Sequence, residues 1–194
     1  MSELTEWIRE CPELGYYLDE PIREQLEIPD DRPFESDEAY WRLQWASFYL
    51  QQVLMYLGQI AGGAPGTTMQ TSPGFNDRLF VKPIEDPDAS RKTAQLRTAL
   101  RRILAVLAAK SAARTAAATR REQIPRLVRL SDEMSWTPGE LRCVQLIVLC
   151  CVDPVMFNRH ELRFLIGLAG LSTKQILQYV QPARRHLKEN LIEI

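Results

Sequence analysis

EAYWRLQWASFYLQQVLMYLGQI, residues 38–60, decides the fold class. Its apolar residues at Trp41, Trp45, Phe48, Tyr49, Val53, Tyr56, Leu57 and Ile60 recur at spacings of three and four. That is the period of one helix face and not of a strand. Asp37 stands just before the pattern, and Gly58 with Gly62 and Gly63 is expected to end it. A stripe this wide and this aromatic is expected to face a core rather than a bound ligand.

Upstream, residues 1–37 read as short helical pieces separated by Pro12, Pro21, Pro29 and Pro33. Downstream, residues 61–89 are rich in Gly, Pro, Thr and Asp and read as a loop, with one short extended piece in RLFVKP. Ser90 is expected to cap a long helix from Arg91 to about Gln123, with Leu96, Leu100, Ile103, Leu104 and Leu107 as its buried stripe. The second half of that helix, AAKSAARTAAATRREQ, is alanine-rich and basic. It has high helix propensity and little to bury. It is expected either to project from the body or to lie against the acidic N-terminus.

Beyond residue 127 the pattern changes to shorter helices with marked ends. Thr137-Pro138-Gly139-Glu140 is a capping box with proline at the first helical position, opening LRCVQLIVLCCV. Asp153-Pro154 closes that helix. Asn158 and Glu161 start the next, Gly170 ends it, and Ser172 with Gln175 starts a third, with Leu171 and Ile176 stapled across its entry. Pro182 breaks this helix, RRHLKEN follows, and LIEI reads as a short strand. The expected fold is mainly α, with a helical region over 1–121 and a winged-helix-like domain over 127–194.

A net charge of −1 conceals strong polarity along the chain. Residues 1–40 carry 13 acidic and 3 basic side chains, a balance of 3 − 13 = −10. Residues 91–130 carry 11 basic and one acidic, a balance of 11 − 1 = +10. A basic block can mark a nucleic-acid surface. With an acidic block of equal size in the same chain, mutual attraction and solvated helix faces are the expected outcome.

The motifs of catalysis are incomplete. GGAPGTT (62–68) has the glycines of a phosphate loop but no lysine, and it follows a helix. His160-Glu161 is not an HExxH helix, because position 164 is Phe. Neither His160 nor His186 has a partner at metal-ligand spacing. The four cysteines, Cys11, Cys143, Cys150 and Cys151, form no CxxC pair and no disulfide framework. The start MSELTEWIRE has no signal-peptide pattern, and the longest apolar run, Val144 to Val152, is too short to cross a bilayer. The chain is expected to be a non-enzyme in an intracellular compartment, cytoplasmic or nuclear, with no cofactor, metal or membrane.

The 172–188 segment has the outline of a DNA-recognition helix, with Thr173, Lys174, Gln175 and Gln178 on its candidate face. It offers one cation there, and Pro182 separates that face from Arg184, Arg185 and Lys188. Nucleic acid is therefore the second partner class and protein the first.

Three stretches carry a family resemblance: LVRLSDEMSWTPGELRCVQLIVLCCVDP (127–154), RHELRFLIGLAGLSTKQILQYV (159–180) and HLKENLIEI (186–194). In order and pattern they resemble the winged-helix region that precedes the ATPase core in a group of AAA+ ATPases. The resemblance covers about residues 125–194. Residues 1–120 have no counterpart in it, and the Walker A lysine and Walker B acidic pair are absent. It implies a non-catalytic module that recruits a protein substrate or adaptor, either as the N-terminal part of a larger AAA+ protein with the ATPase domain downstream in the same polypeptide or as a free-standing relative. Two interaction surfaces are expected. One is Lys174, Gln178, Arg184, Arg185 and Lys188; the other is Lys110, Arg114, Arg120 and Arg121 on the basic helix. The alternative is a winged-helix DNA-binding regulator.

Overall fold

Prolines set the rhythm of the N-terminal arm, because a ring that fixes φ and lacks an N–H is tolerated only in a first helical turn. In the computed structural model of the chain, residues 3–61, 88–152 and 174 are described. Helix α1 (Glu3–Glu10) is followed by a 3₁₀ turn that begins at Pro12 (Pro12–Tyr16) and by α2 (Glu20–Glu27). Pro21 lies in the first turn of α2 rather than between helices, and Asp19 caps that turn by accepting from the Ile22 N–H at 3.3 Å. Residues 28–36 then cross to α3 (Asp37–Ala61), where the Ser36 hydroxyl accepts from the Ala39 N–H at 3.2 Å. The long helix α4 (Ala89–Arg120) follows, then α5 (Arg126–Glu133) and α6 (Pro138–Val152). The protein is mainly helical, and no strand occurs among the described residues. The expected LIEI strand and the helices after Asp153 lie outside the described residues.

The chain divides into two units, Met1–Gln123 and Ile124–Ile194. The first is built on α3 and α4, which run antiparallel. Gln44 Nε2 donates to Ser111 Oγ at 3.1 Å, and Gly58 faces Arg97. Fourteen residues forward on α3 is thus fourteen back on α4, a packed length of roughly 20 Å at the α-helical rise. The 3₁₀ turn and α2 lie against this pair and insert Leu14, Leu18 and Ile22, all fully buried. Burying three large aliphatic side chains gives on the order of 1.5–3 kcal/mol each, which makes the arm part of the core.

The α3 stripe holds at Phe48, Tyr49, Val53 and Leu57, which are buried. Its centre is shifted from the expected line. Tyr40, Leu43 and Leu50 are buried, while Trp41, Trp45 and Tyr56 are only half-buried. Trp45 stacks flat on Tyr49 at the margin, with ring centroids 5.3 Å apart. Packing on two sides widens the buried face beyond a single stripe, and the larger rings cover its edges.

Helix ends depart from expectation in instructive ways. Gly58 does not terminate α3, which continues to Ala61. Ser90 lies inside the first turn of α4, whose N-cap is Asp88 with no side-chain cap bond. The α4 C-terminus is a Schellman motif. Glu122 N–H donates to Thr119 O at 3.2 Å and Gln123 N–H to Ala118 O at 2.9 Å, with Glu122 at φ 57°. Helix α5 ends the same way, with Ser135 at φ 55° and Trp136 N–H on Ser131 O at 2.9 Å. Glycine usually takes this left-handed position, and here Glu and Ser hold it. The second unit keeps the expected capping box. Glu140 Oε2 accepts from the Thr137 N–H at 2.8 Å and Thr137 Oγ1 accepts from the Glu140 N–H at 3.3 Å, opening α6 at Pro138.

Burial also sets two tyrosines. Desolvation pushes the Tyr17 phenol up to about 12, and the neighbouring Tyr49 and Tyr56 add to it. Tyr49 is raised by burial and then by the charge of Asp19.

Two predictions follow from these elements. An alanine Cβ at Gly58 would sit 3.8 Å from Arg97, an ordinary contact. Gly58→Ala and Glu122→Gly should therefore each stabilise the first unit, by about 0.5–1 kcal/mol, in urea unfolding. A folded phenol pKa raised above its unfolded value contributes stability that is complete below pH 10 and is lost as pH rises towards 12. Alkaline titration should show helix loss in that window, and Tyr17→Phe should reduce it.

Candidate functional site

The buried stripe of α4 does not stop where its leucines do. Leu96, Leu100, Ile103 and Leu107 are buried at alternating spacings of four and three, and the same rhythm continues through Lys110, Arg114 and Ala117. The two cations therefore occupy positions that face the core. Leu104, expected within the stripe, is half-buried at its edge.

Lys110 and Arg114 find their partners in the arm between α2 and α3. Lys110 Nζ donates to the Ile28 carbonyl at 2.6 Å and to Asp30 Oδ1 at 2.8 Å. Lys110 is 9% exposed, whereas Asp30 is mostly in solvent, so the ion pair is screened and the carbonyl bond does most of the fixing. Arg114 is buried more deeply, at 2% exposure. Its Nε donates to the Arg32 carbonyl at 3.1 Å, its Nη1 reaches the Oε1 of the buried Gln25 at 3.5 Å, and its guanidinium carbon lies 4.3 Å from the centroid of the Phe34 ring. Tyr40 meets Phe34 edge-on, with centroids 5.3 Å apart, and so braces the ring. Burial lowers the Arg114 pKa from arginine's usual value, the charge of Arg32 lowers it further, and Glu35 opposes both.

A cavity of about 510 Å³ opens beside Arg114. Glu24, Gln25 and Glu27 of α2 form one wall, Arg32 and Glu35 of the connecting segment another, and Glu38 and Arg42 of α3 a third. Arg32 pairs with Glu35, and Arg42 pairs with Glu38 at 2.7 Å. Both pairs are exposed, so they arrange the rim and add little stability. A second cavity, of about 490 Å³, lies between α1 and α4, with Trp7, Cys11, Arg91 and Arg102 among its lining. Arg102 reaches Glu10 there at 3.8 Å.

Lys110 and Arg114 are thus corrected from an outward surface to internal anchors. The four-three spacing of the leucines, extended past Leu107, is the signal in the sequence for this inward turn. Arg120 and Arg121 are exposed at the end of α4, where cations also suit the negative end of the helix dipole. Lys174 is helical and exposed. Gln178, Arg184, Arg185 and Lys188 lie outside the described residues. The arm residues Gln25, Arg32 and Phe34 were not singled out in the sequence, because nothing local distinguishes them.

Other chemistry is sparse. Among the described residues there is no group of three or more His, Cys, Asp or Glu side chains placed to hold a metal, and no helix is long and apolar enough to cross a membrane. All four cysteines are free. Burial, then the charge of Glu140, pushes the Cys143 thiol up to about 11, and burial also raises Cys11. Both thiols are poor nucleophiles at neutral pH.

Arg114→Ala removes a packed stem and leaves the Arg32 carbonyl without its donor. It should destabilise the protein by about 2–4 kcal/mol in urea unfolding followed by helical circular dichroism. Arg120→Ala, on the exposed end of the same helix, should stay within about 0.5 kcal/mol of the parent.

Compared with known proteins, no family model, curated protein or solved structure matches the chain.

Proposed function

We propose that this chain is a non-catalytic protein-interaction module. Its second unit is read as the winged-helix-like region that stands before an AAA+ ATPase core, with an ATPase domain downstream that the module supplies with a substrate or adaptor. The observation that carries the interaction reading is the inward turn of Lys110 and Arg114. A nucleic-acid surface needs its cations outside, where they can displace counterions from phosphates. Here the arm from α2 to α3 takes up two cations from the middle of the basic block, and a mixed-charge cavity rimmed by glutamates is left beside them. Alternating carboxylates and guanidinium groups suit protein side chains and repel a polyanion. The AAA+ placement draws its support from α5, the capping box and α6, which fall in the order that the resemblance implies.

Two measurements test this reading. Random duplex DNA at low salt should show no saturable anisotropy change with the chain at tens of micromolar. Binding tighter than roughly 10⁻⁴ M that weakens steeply with salt would replace the reading with a DNA-binding regulator. In source cells, an antibody to residues 126–152 should detect a polypeptide much larger than 22.3 kDa that hydrolyses ATP. A band at 22.3 kDa would remove the AAA+ placement.

A further inference from the structure

We propose that the cavity beside Arg114 is a recognition site for a peptide carboxylate flanked by a basic residue. The proposal rests on the reading of the chain as an interaction module and names the chemistry of what it binds.

The floor of the cavity carries a positive charge that forms no ion pair with a described residue; the carboxylate acting on it, Glu35, is already paired with Arg32. Arg114 is 2% exposed, and its partners are an uncharged carbonyl, an amide oxygen and an aromatic ring. Buried charges are ordinarily compensated by an opposite charge at contact distance. Nε and Nη1 are engaged, while Nη2 forms no hydrogen bond with a described residue, and Arg114 lines the open space. A carboxylate entering there gains a charge-assisted hydrogen bond in a partly desolvated setting, the strong kind.

The wall carries the opposite imbalance. Arg32 and Arg42 on the rim are each engaged by a glutamate of their own segment. Glu24 and Glu27 of α2 line the same cavity, are exposed, and form no ion pair with a described residue. The charges left over are one positive on the floor and two negative on one wall. Their complement is a single carboxylate with a cation beside it. A phosphate-rich ligand would face four glutamates. The volume lies within the range of about 300–1,000 Å³ typical of ligand sites. The lining mixes charged side chains with Ile28, Pro29 and Ala39 and opens to the surface, which lets a peptide chain enter and leave.

The test uses the whole chain and two synthetic hexapeptides. Both carry a lysine next to the last residue; one ends in a free carboxylate and the other in a carboxamide. Calorimetric titration should show the acid binding about tenfold tighter than the amide, the worth of one good charge-assisted contact. The double variant Glu24→Gln/Glu27→Gln alters only exposed side chains and should fold normally. It should weaken the acid peptide about threefold or more, and replacing the peptide's lysine with norleucine should remove that difference. Arg114→Lys should reduce the acid-over-amide preference. Equal affinity for acid and amide, or no saturable binding up to about 5 mM, overturns the site. Free lysine binding as tightly as the peptide also overturns it, in favour of a small-zwitterion pocket. Failure of the peptides leaves the interaction-module reading to the duplex and ATPase measurements, whereas tight duplex binding removes that reading itself.

Discussion

Two cations sunk into the seam of a long helix tie the arm between α2 and α3 to the core of the first unit. Lys110 and Arg114 sit one helical turn apart, at positions that the spacing of Leu96 to Leu107 assigns to the core. Desolvating such groups is costly, and the cost is offset only where donors meet acceptors of fixed geometry. The segment from α2 to α3 provides those acceptors as the carbonyls of Ile28 and Arg32, the amide of Gln25 and the ring of Phe34. Backbone carbonyls cannot move without moving the chain. The two side chains therefore fix the path of the arm across α4.

The rest of that unit follows from this path. With residues 28–36 pinned, α2 is set against the pair of long helices and Ile22 enters the core. The arm can then carry glutamates on its outer side, because its inner side is already satisfied. The cavity is a consequence of the same anchoring. Its floor is the buried Arg114, and its walls are the outer faces of the elements that Arg114 holds in place.

The alanine-rich half of α4 makes sense in these terms. Ala117 and Ala118 are buried there, and the two long cations between the leucines and these alanines bridge to the arm. The stems of Lys and Arg cover apolar surface while their heads reach the carbonyls beyond. A stretch with little to bury on its own is thereby stabilised by tertiary contact, the usual source of stability for helices in water.

Legible in the sequence alone were the helical class, the positions of α3 and α4, the short helical pieces of the arm, and the Thr137–Glu140 capping box, whereas Pro12 and Pro21, expected between those pieces, begin them instead. Each depends on residues within one or two turns of one another, where periodicity and capping chemistry act locally. The opposed charge blocks also foretold attraction between the N-terminal region and the basic helix. Which cations turn inward is set by packing between distant segments. Lys110 and Arg120 are the same kind of residue in the same alanine-rich run, and local propensity does not separate them. Their fates differ because the arm crosses α4 at one and not at the other, through contacts made about 80 residues away in the chain. The left-handed caps at Glu122 and Ser135 were hidden for a related reason. No glycine marks them, and the fold holds each residue in a conformation that its own chemistry disfavours.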